Sequence, residues 1–447
     1  MTPIDRTGGR TGGDAPSGTP APIPPDVPTR ESLLHQIRTA NRWAWPWLGV
    51  RLAVILVLFY WIDWPRAFDD PITSVVAVLA VIGPYVMSLL RLLARPRKRL
   101  ENLKETTRFG DLDKRRLIEI YQQTLSKLGL PDRGVPVYVT SDKDLNAAAL
   151  QLGRWFDRVN GVYLHRQVLH RLTPAEIQDW LGHELGHYHR FSLTAMDFRF
   201  VTMLTGALVG LFVVQWVSFT GFLGFIIVTA IASGFWWIDS LPWYRNGQAI
   251  EHLCDDLGMQ VGGIGPSVSG LLKSGRDMEL RTAIELELQA KNLGNEMITP
   301  QELAAAVERA IPYGDVDEVE LYDRASQQIA AKTEKNRKAS VGGFLSYAWD
   351  ADDLDDEEDR GERLQQRAKM INAMRRLDWE SVVDDPKTLD LDERQVQRLV
   401  ELIERDPGGH LFKVPELATA SDGIHPPIAA RIRYLWHNRN SRTPLEL

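Results

Sequence analysis

The sequence predicts a mainly helical α+β chain that crosses a membrane several times. Three observations predict it: four long apolar runs, a hydrophilic block between them in which strand patterns precede a capped helix, and a C-terminal half of helical periodicity. Of the 447 residues 44% are hydrophobic and 25% charged, which excludes a wholly disordered, collagen-like or coiled-coil protein. The single cysteine, Cys254, excludes an internal disulfide and with it a bridge-stapled secreted scaffold. A net charge of -7 gives no electrostatic case for nucleic acid as the main partner.

Residues 1–30 are rich in Gly, Pro, Thr, Ser, Ala and Asp, so a disordered tail is expected there, with no signal peptide ahead of it. A first transmembrane hairpin is expected over 43–96. Its first run, Leu48 to Ile62, is apolar except for Arg51, and its second, Pro71 to Ala94, is broken only late by Arg91. A second hairpin, 200–241, joins Phe200 to Phe219 and Phe222 to Leu241 through Thr220 and Gly221, with Asp239 near its end. A bilayer core of roughly 30 Å asks for about 20 apolar residues; the first run is short and the other three fit. Nine of the fourteen tryptophans lie in or beside these runs, as interfacial belts require. The link within the first hairpin holds only Arg66, whereas Arg30, Arg38 and Arg42 precede it and Arg91, Arg95, Arg97, Lys98 and Arg99 end it. That asymmetry puts both hydrophilic blocks, 101–199 and 243–447, on the cytoplasmic side; the membrane itself is expected to be a cell inner membrane.

In the first block a helix is expected over Asp111 to Leu128 and strands over Val135 to Thr140, Asn146 to Leu150 and Gly161 to Leu164, with a loop through Gly153 and Asn160. Thr173-Pro174-Ala175-Glu176 supplies an N-cap, a first-turn proline and a glutamate placed for a capping box, so a helix should run from there to about Arg190. On it stands His183-Glu184-Leu185-Gly186-His187. Residues four apart share a helix face, so both imidazoles can meet one zinc ion while Glu184 reaches the water beside it. A catalytic zinc needs a third protein ligand and an open position. Glu251-His252-Leu253-Cys254-Asp255 follows the second hairpin; Glu251 can complete the set, and Asp255, one turn on, can accept the other ring N–H of a ligating histidine. The third-ligand helix is expected at 243–261, and Thr299-Pro300-Gln301-Glu302 opens another helix. The acidic run from Asp350 to Asp359 reads as solvated surface, since it lacks the glycine and spacing of a calcium loop.

At these motifs the chain resembles the HtpX-type integral-membrane zinc metalloproteases, relatives of the CAAX prenyl-protease group within the gluzincins. The resemblance runs from about Leu48 to Asp255 and resumes at His425-Pro426-Pro427 with Arg431-Ile432; it includes Asn146-Ala147-Ala148-Ala149, where the family has Asn-Ala-Phe-Ala. It implies a multi-pass membrane protein with a zincin (gluzincin) domain, holding one zinc per chain through His183, His187 and Glu251. Glu184 is then the general base and Asp255 a support for a ligating histidine. Asn146 lies on the active-site edge strand, and His425 with Arg431 closes the site from the C-terminal side, 421–447. Peptide hydrolysis also needs a donor for the developing oxyanion, for which His425 and Asn146 are both candidates. Protein or peptide substrates and the lipid bilayer are the implied partners. Three features depart from the family pattern, the first being that the basic residues that usually precede the glutamate are reduced to Arg245. Cys254 replaces a small alanine, as a buried side chain or as a neighbour of the metal, and 262–420 is a helical, acidic insertion. A rival of another class is an inactive membrane scaffold that binds partners through that insertion; the intact Glu184 argues against it. A di-iron bundle would need a second Glu-x-x-His, and Glu251 is followed three residues later by Cys254. No Walker-type phosphate loop is present.

Overall fold

Thr29 starts the first helix, α1 (Arg30–Trp61): its side chain accepts from the Ser32 amide, and no break separates the polar residues 30–42 from the first apolar run. The computed structural model describes residues 23–76, 79, 83, 87, 90, 94, 96–131, 135–151, 159–194, 199–291, 300–311, 318–340, 371, 373–413 and 425–445. Most of the tail 1–30 and of the second apolar run, together with Gly153, Thr299 and the acidic run, lies outside the described residues. The basic residues after that run form strand β1 (Arg97–Arg99).

The helix expected from Asp111 is α2 (Lys114–Lys127). It starts later because Leu112 and Asp113 pair with Phe109 and Arg108 in a two-stranded ribbon, and Asp113 then caps the helix by accepting from the Arg116 amide. Three further strands follow: β2 (Val137–Thr140), β3 (Ala147–Leu150) and β4 (Gly161–His165). The sheet order is β1-β2-β4-β3, with β2 parallel to β4 and the two outer pairs antiparallel. The central strands are buried along their whole length, whereas β3 is an edge strand with partly open residues.

Helix α3 (Pro174–His189) has the expected capping box: the Thr173 hydroxyl accepts from the Glu176 amide and the Glu176 carboxylate accepts from the Thr173 amide. The Glu176 carboxylate also holds Lys273 Nζ at 2.7 Å. Apolar helix α4 (Arg199–Val217) leads to α5 (Gly221–Gly262), in which the last apolar run and the expected third-ligand helix form one continuous element that passes through Pro242. Helices α3 and α5 approach closely through glycines. A Cβ on Gly182 would lie 2.6 Å from Val261 Cγ2 and 2.9 Å from Gly258 Cα, and one on Gly258 would lie 2.6 Å from the Asp179 carbonyl oxygen. Only a side chain without a Cβ permits this spacing.

Beyond α5 lie α6 (Ile264–Lys291), α7 (Pro300–Ala310), α8 (Glu318–Ser340), α9 (Glu393–Arg405) and α10 (Ile428–Asn438). The described residues of 262–420 divide between two cores. Val268 and Leu272 of α6, Trp379, Leu399 and Phe412 join the main core with the sheet, α2, α3 and the end of α5. Ile284 and Leu288 at the far end of α6 pack instead with α7 and α8. Among the described residues two helices, α1 and α5, are long and apolar enough to cross a membrane; Val201–Val217 is a shorter apolar helix.

Candidate active site

One face of α3 and one face of α5 meet where their glycines let the backbones touch. His183 and His187, a turn apart on α3, point their Nε2 atoms at one another across 3.1 Å. Glu251 on α5 faces both, its carboxylate oxygens 3.3 Å from His187 Nε2 and 3.6 Å from His183 Nε2. One donor atom from each of the three lies within 4.8 Å of the others. A tetrahedral zinc with ligands at about 2.0–2.1 Å sets neighbouring donors about 3.3 Å apart, so these three spacings fit that ion. Burial opposes the charge on Glu251, but His187, His183 and Arg431 outweigh it and hold the carboxyl well below the usual range.

The supporting groups converge on Asp255, also on α5. Its Oδ1 accepts from His183 Nδ1 at 2.9 Å, and Arg431 on α10 donates to both oxygens, through Nε at 2.7 Å. Burial would raise the Asp255 pKa; the Arg431 guanidinium reverses that and pulls it down to about 2. An ionised carboxylate can only accept, so the His183 proton sits on Nδ1 and the Nε2 lone pair faces the cluster. Glu184 is buried beside the histidines, and its side chain has no hydrogen-bond partner among the described residues.

The other expected residues are spread more widely. His425, half exposed before α10, brings Nε2 to 3.8 Å from Glu251 Oε1. Arg431 grips Asp255 directly. Asn146 opens the edge strand, where its Oδ1 accepts from the Ala147 amide, and none of its hydrogen bonds reaches the three ligand residues. Cys254 is fully buried against Gly186, and burial pushes its thiol up to about 11, so it stays protonated.

Two features of the site had a signal in the sequence that extends beyond the two motifs. The pairs Gly182/Gly186 and Gly258/Gly262, each four apart, mark the close helix contact, and the adjacent acids Asp255 and Asp256 each require a cation once buried. Asp256 takes Arg30 of α1 in a two-pronged pair at 2.6 and 2.7 Å, with the Tyr434 hydroxyl donating to it at 3.1 Å. The first turn of α1 is thereby fixed to the helix that carries Glu251.

An HExxH helix clamped to a helix that presents a glutamate is the donor arrangement expected of a metallopeptidase. Residues 111–264 match the family model described as Peptidase family M48, which supports an M48 family metallopeptidase. The match spans α2, the strands from β2 onward, α3 and α5, and therefore all of His183, Glu184, His187, Glu251 and Asp255. No curated protein and no solved structure matches the chain.

Proposed function

We propose that this chain is a zinc-dependent endopeptidase of the HtpX type, embedded in an inner membrane, which cuts membrane or misfolded proteins at the cytoplasmic face. The observation that carries the proposal is the His183, His187 and Glu251 cluster with Asp255 and Arg431 behind it. These three side chains would hold one zinc, which when bound supplies a Lewis acid for the scissile carbonyl and lowers the pKa of water.

The rest of the chemistry belongs to the chain. Glu184 takes a proton from the attacking water at its free carboxylate and returns it to the departing amine. Asp255, anchored by Arg431, keeps the His183 ring in one tautomer and one orientation. His425, at the mouth of the site, is placed to donate to the developing oxyanion. Edge strand β3, whose outer side pairs with no other strand among the described residues, offers backbone groups along which an extended peptide can lie.

The bilayer reading is supported by the exposed aromatic surface of the apolar helices, where Trp45, Trp61 and Trp237 are each more than 60% open. It is supported further by the pairing of Arg51 with Asp239 at 2.7 Å, which satisfies both charges of the apolar helices internally. Glu251 stands ten residues beyond Leu241, about 15 Å along α5, so the site lies close to the membrane surface. The test is the metal content of the purified protein together with cleavage of an unfolded substrate, with and without a chelator. About one zinc per chain and chelator-sensitive cleavage are expected. Unchanged zinc in both His183→Ala and Glu251→Gln would refute the ligand assignment.

A further inference from the structure

Helices α1 and α5 are tied at two levels whose separations do not match. Gln36 donates through Nε2 to Asn246 Oδ1 at 3.0 Å, and further along Arg51 donates to Asp239 Oδ1 at 2.7 Å. Trp47 Nε1 and the Thr202 hydroxyl also donate to Asp239, at 3.1 and 2.6 Å. Between the ties α1 advances fifteen residues, about 22 Å, while α5 advances only seven, about 10 Å. Each helix carries a proline between the joints, Pro46 and Pro242, and both prolines line the space between the helices. The gap is a cavity of about 1090 Å³.

Its walls are mostly apolar, formed by Trp43, Trp47, Leu48, Val50, Ile238 and Leu241. At the end nearer the catalytic domain stand Arg245 and His35, both exposed and neither paired with a carboxylate among the described residues. The volume lies just above the range for small-molecule sites, which is about 300–1,000 Å³. An apolar space of this size beside a bilayer is filled by what surrounds it, and the Arg245 guanidinium at its cytoplasmic end, with the His35 ring beside it as a further hydrogen-bonding group, selects a negative headgroup.

We propose that this cavity is a binding site for one anionic phospholipid, with an acyl chain along the tryptophan wall and the phosphate between Arg245 and His35. The proposal rests on the bilayer reading above. It gives the cavity a role separate from peptide hydrolysis, since neither Arg245 nor His35 touches the metal cluster.

The test uses the full chain purified in detergent and native mass spectrometry from mixed micelles of equimolar phosphatidylglycerol and phosphatidylcholine. The wild type should retain one phosphatidylglycerol per chain in preference to phosphatidylcholine. Arg245→Gln should reduce that preference about fivefold, the weight of one cation near an anionic headgroup. Thr39→Trp, at an exposed position on the cavity wall, should abolish retention while leaving the core intact. Excess inorganic phosphate should leave the lipid in place; displacement would reduce the site to a phosphate subsite and overturn the lipid assignment. Equal retention of both lipids by the wild type, or a preference unchanged in both variants, would overturn it as well. Release of the chain from membranes by alkaline carbonate would overturn the bilayer reading and this proposal together. Retention through that wash with no lipid preference would overturn this proposal alone.

Discussion

Gly258→Ala tests whether the spacing of α3 and α5 sets the metal site. The added methyl would lie 2.6 Å from the Asp179 carbonyl oxygen and 2.9 Å from Asp179 Oδ1, whereas ordinary contact begins near 3.4 Å. A helix carbonyl cannot rotate away, so α3 and α5 must separate by roughly 0.8 Å at that level. Overpacking of this kind costs about 1–3 kcal/mol, against a gain of about 0.5–1 kcal/mol from replacing a helical glycine by alanine. The same displacement acts on the ligands. Two of the three donor spacings, His183 to Glu251 and His187 to Glu251, cross the α3–α5 contact and lengthen, while the spacing between the histidines lies within α3 and does not. Zinc affinity should therefore fall about tenfold to hundredfold, the range seen when groups that orient metal ligands are lost. The control is Gly234→Ala on the same helix, where a Cβ would meet nothing within 4 Å. The assays are thermal unfolding in detergent and zinc titration against a competing chelator. If the two variants unfold alike and bind zinc alike, the close glycine contact does not position the ligands.

Glu184→Gln should keep fold and zinc but lower peptide cleavage about 100-fold to 10,000-fold, because the general base is lost and no ligand is; full cellular function of that variant would favour a scaffold instead. Arg30→Met leaves Asp256 buried without its cation and should destabilise the chain by about 3–5 kcal/mol, and adding Asp256→Asn should recover part of that loss in a double-mutant cycle. Asp179, buried on α3 with the Ser267 hydroxyl donating to it, is pushed up to about 8 by burial. Its folded pKa exceeds the unfolded one, so the folded state holds the proton more tightly and stability falls as pH rises from about 4 to about 8; Asp179→Asn should flatten that fall in unfolding measured across the window. Phe68→Cys should react with a membrane-impermeant thiol reagent added outside intact cells and Glu105→Cys should not; the reverse labelling would invert the topology.

Local periodicity carried the sequence reading wherever a single element decides the outcome. The capping box at Thr173 starts α3 at the expected residue, because every partner in it lies within four positions. The three strands fall within a residue or two of their expected places, since each is a short, mostly apolar run bounded by residues that favour turns. Spacing also placed His183 with His187 and, through the second motif, Glu251 with Asp255, because residues four apart on a helix share a face.

What could not be read is pairing across the chain. Arg51 and Asp239 each look like blemishes in apolar runs, and only the antiparallel packing of α1 against α5 turns them into one ion pair. Arg30 looks like a topology signal before a span, yet it is buried against Asp256, which stands 226 residues away. Arg431 was assigned to the site through its motif, but its partner was not, because nothing local distinguishes a guanidinium that faces a substrate from one that faces Asp255. The common element is α5. Its acids Asp239, Asp256 and Asp255 each draw a cation from another helix, Arg51 from the apolar stretch of α1, Arg30 from its polar first turn and Arg431 from α10. A buried acid can be read as demanding a cation, but which of the 52 lysines and arginines answers depends on the fold. The helix that carries Glu251 is thus held in register by three long-range pairs, and the geometry of the His183, His187 and Glu251 cluster depends on contacts that no local pattern in the sequence encodes.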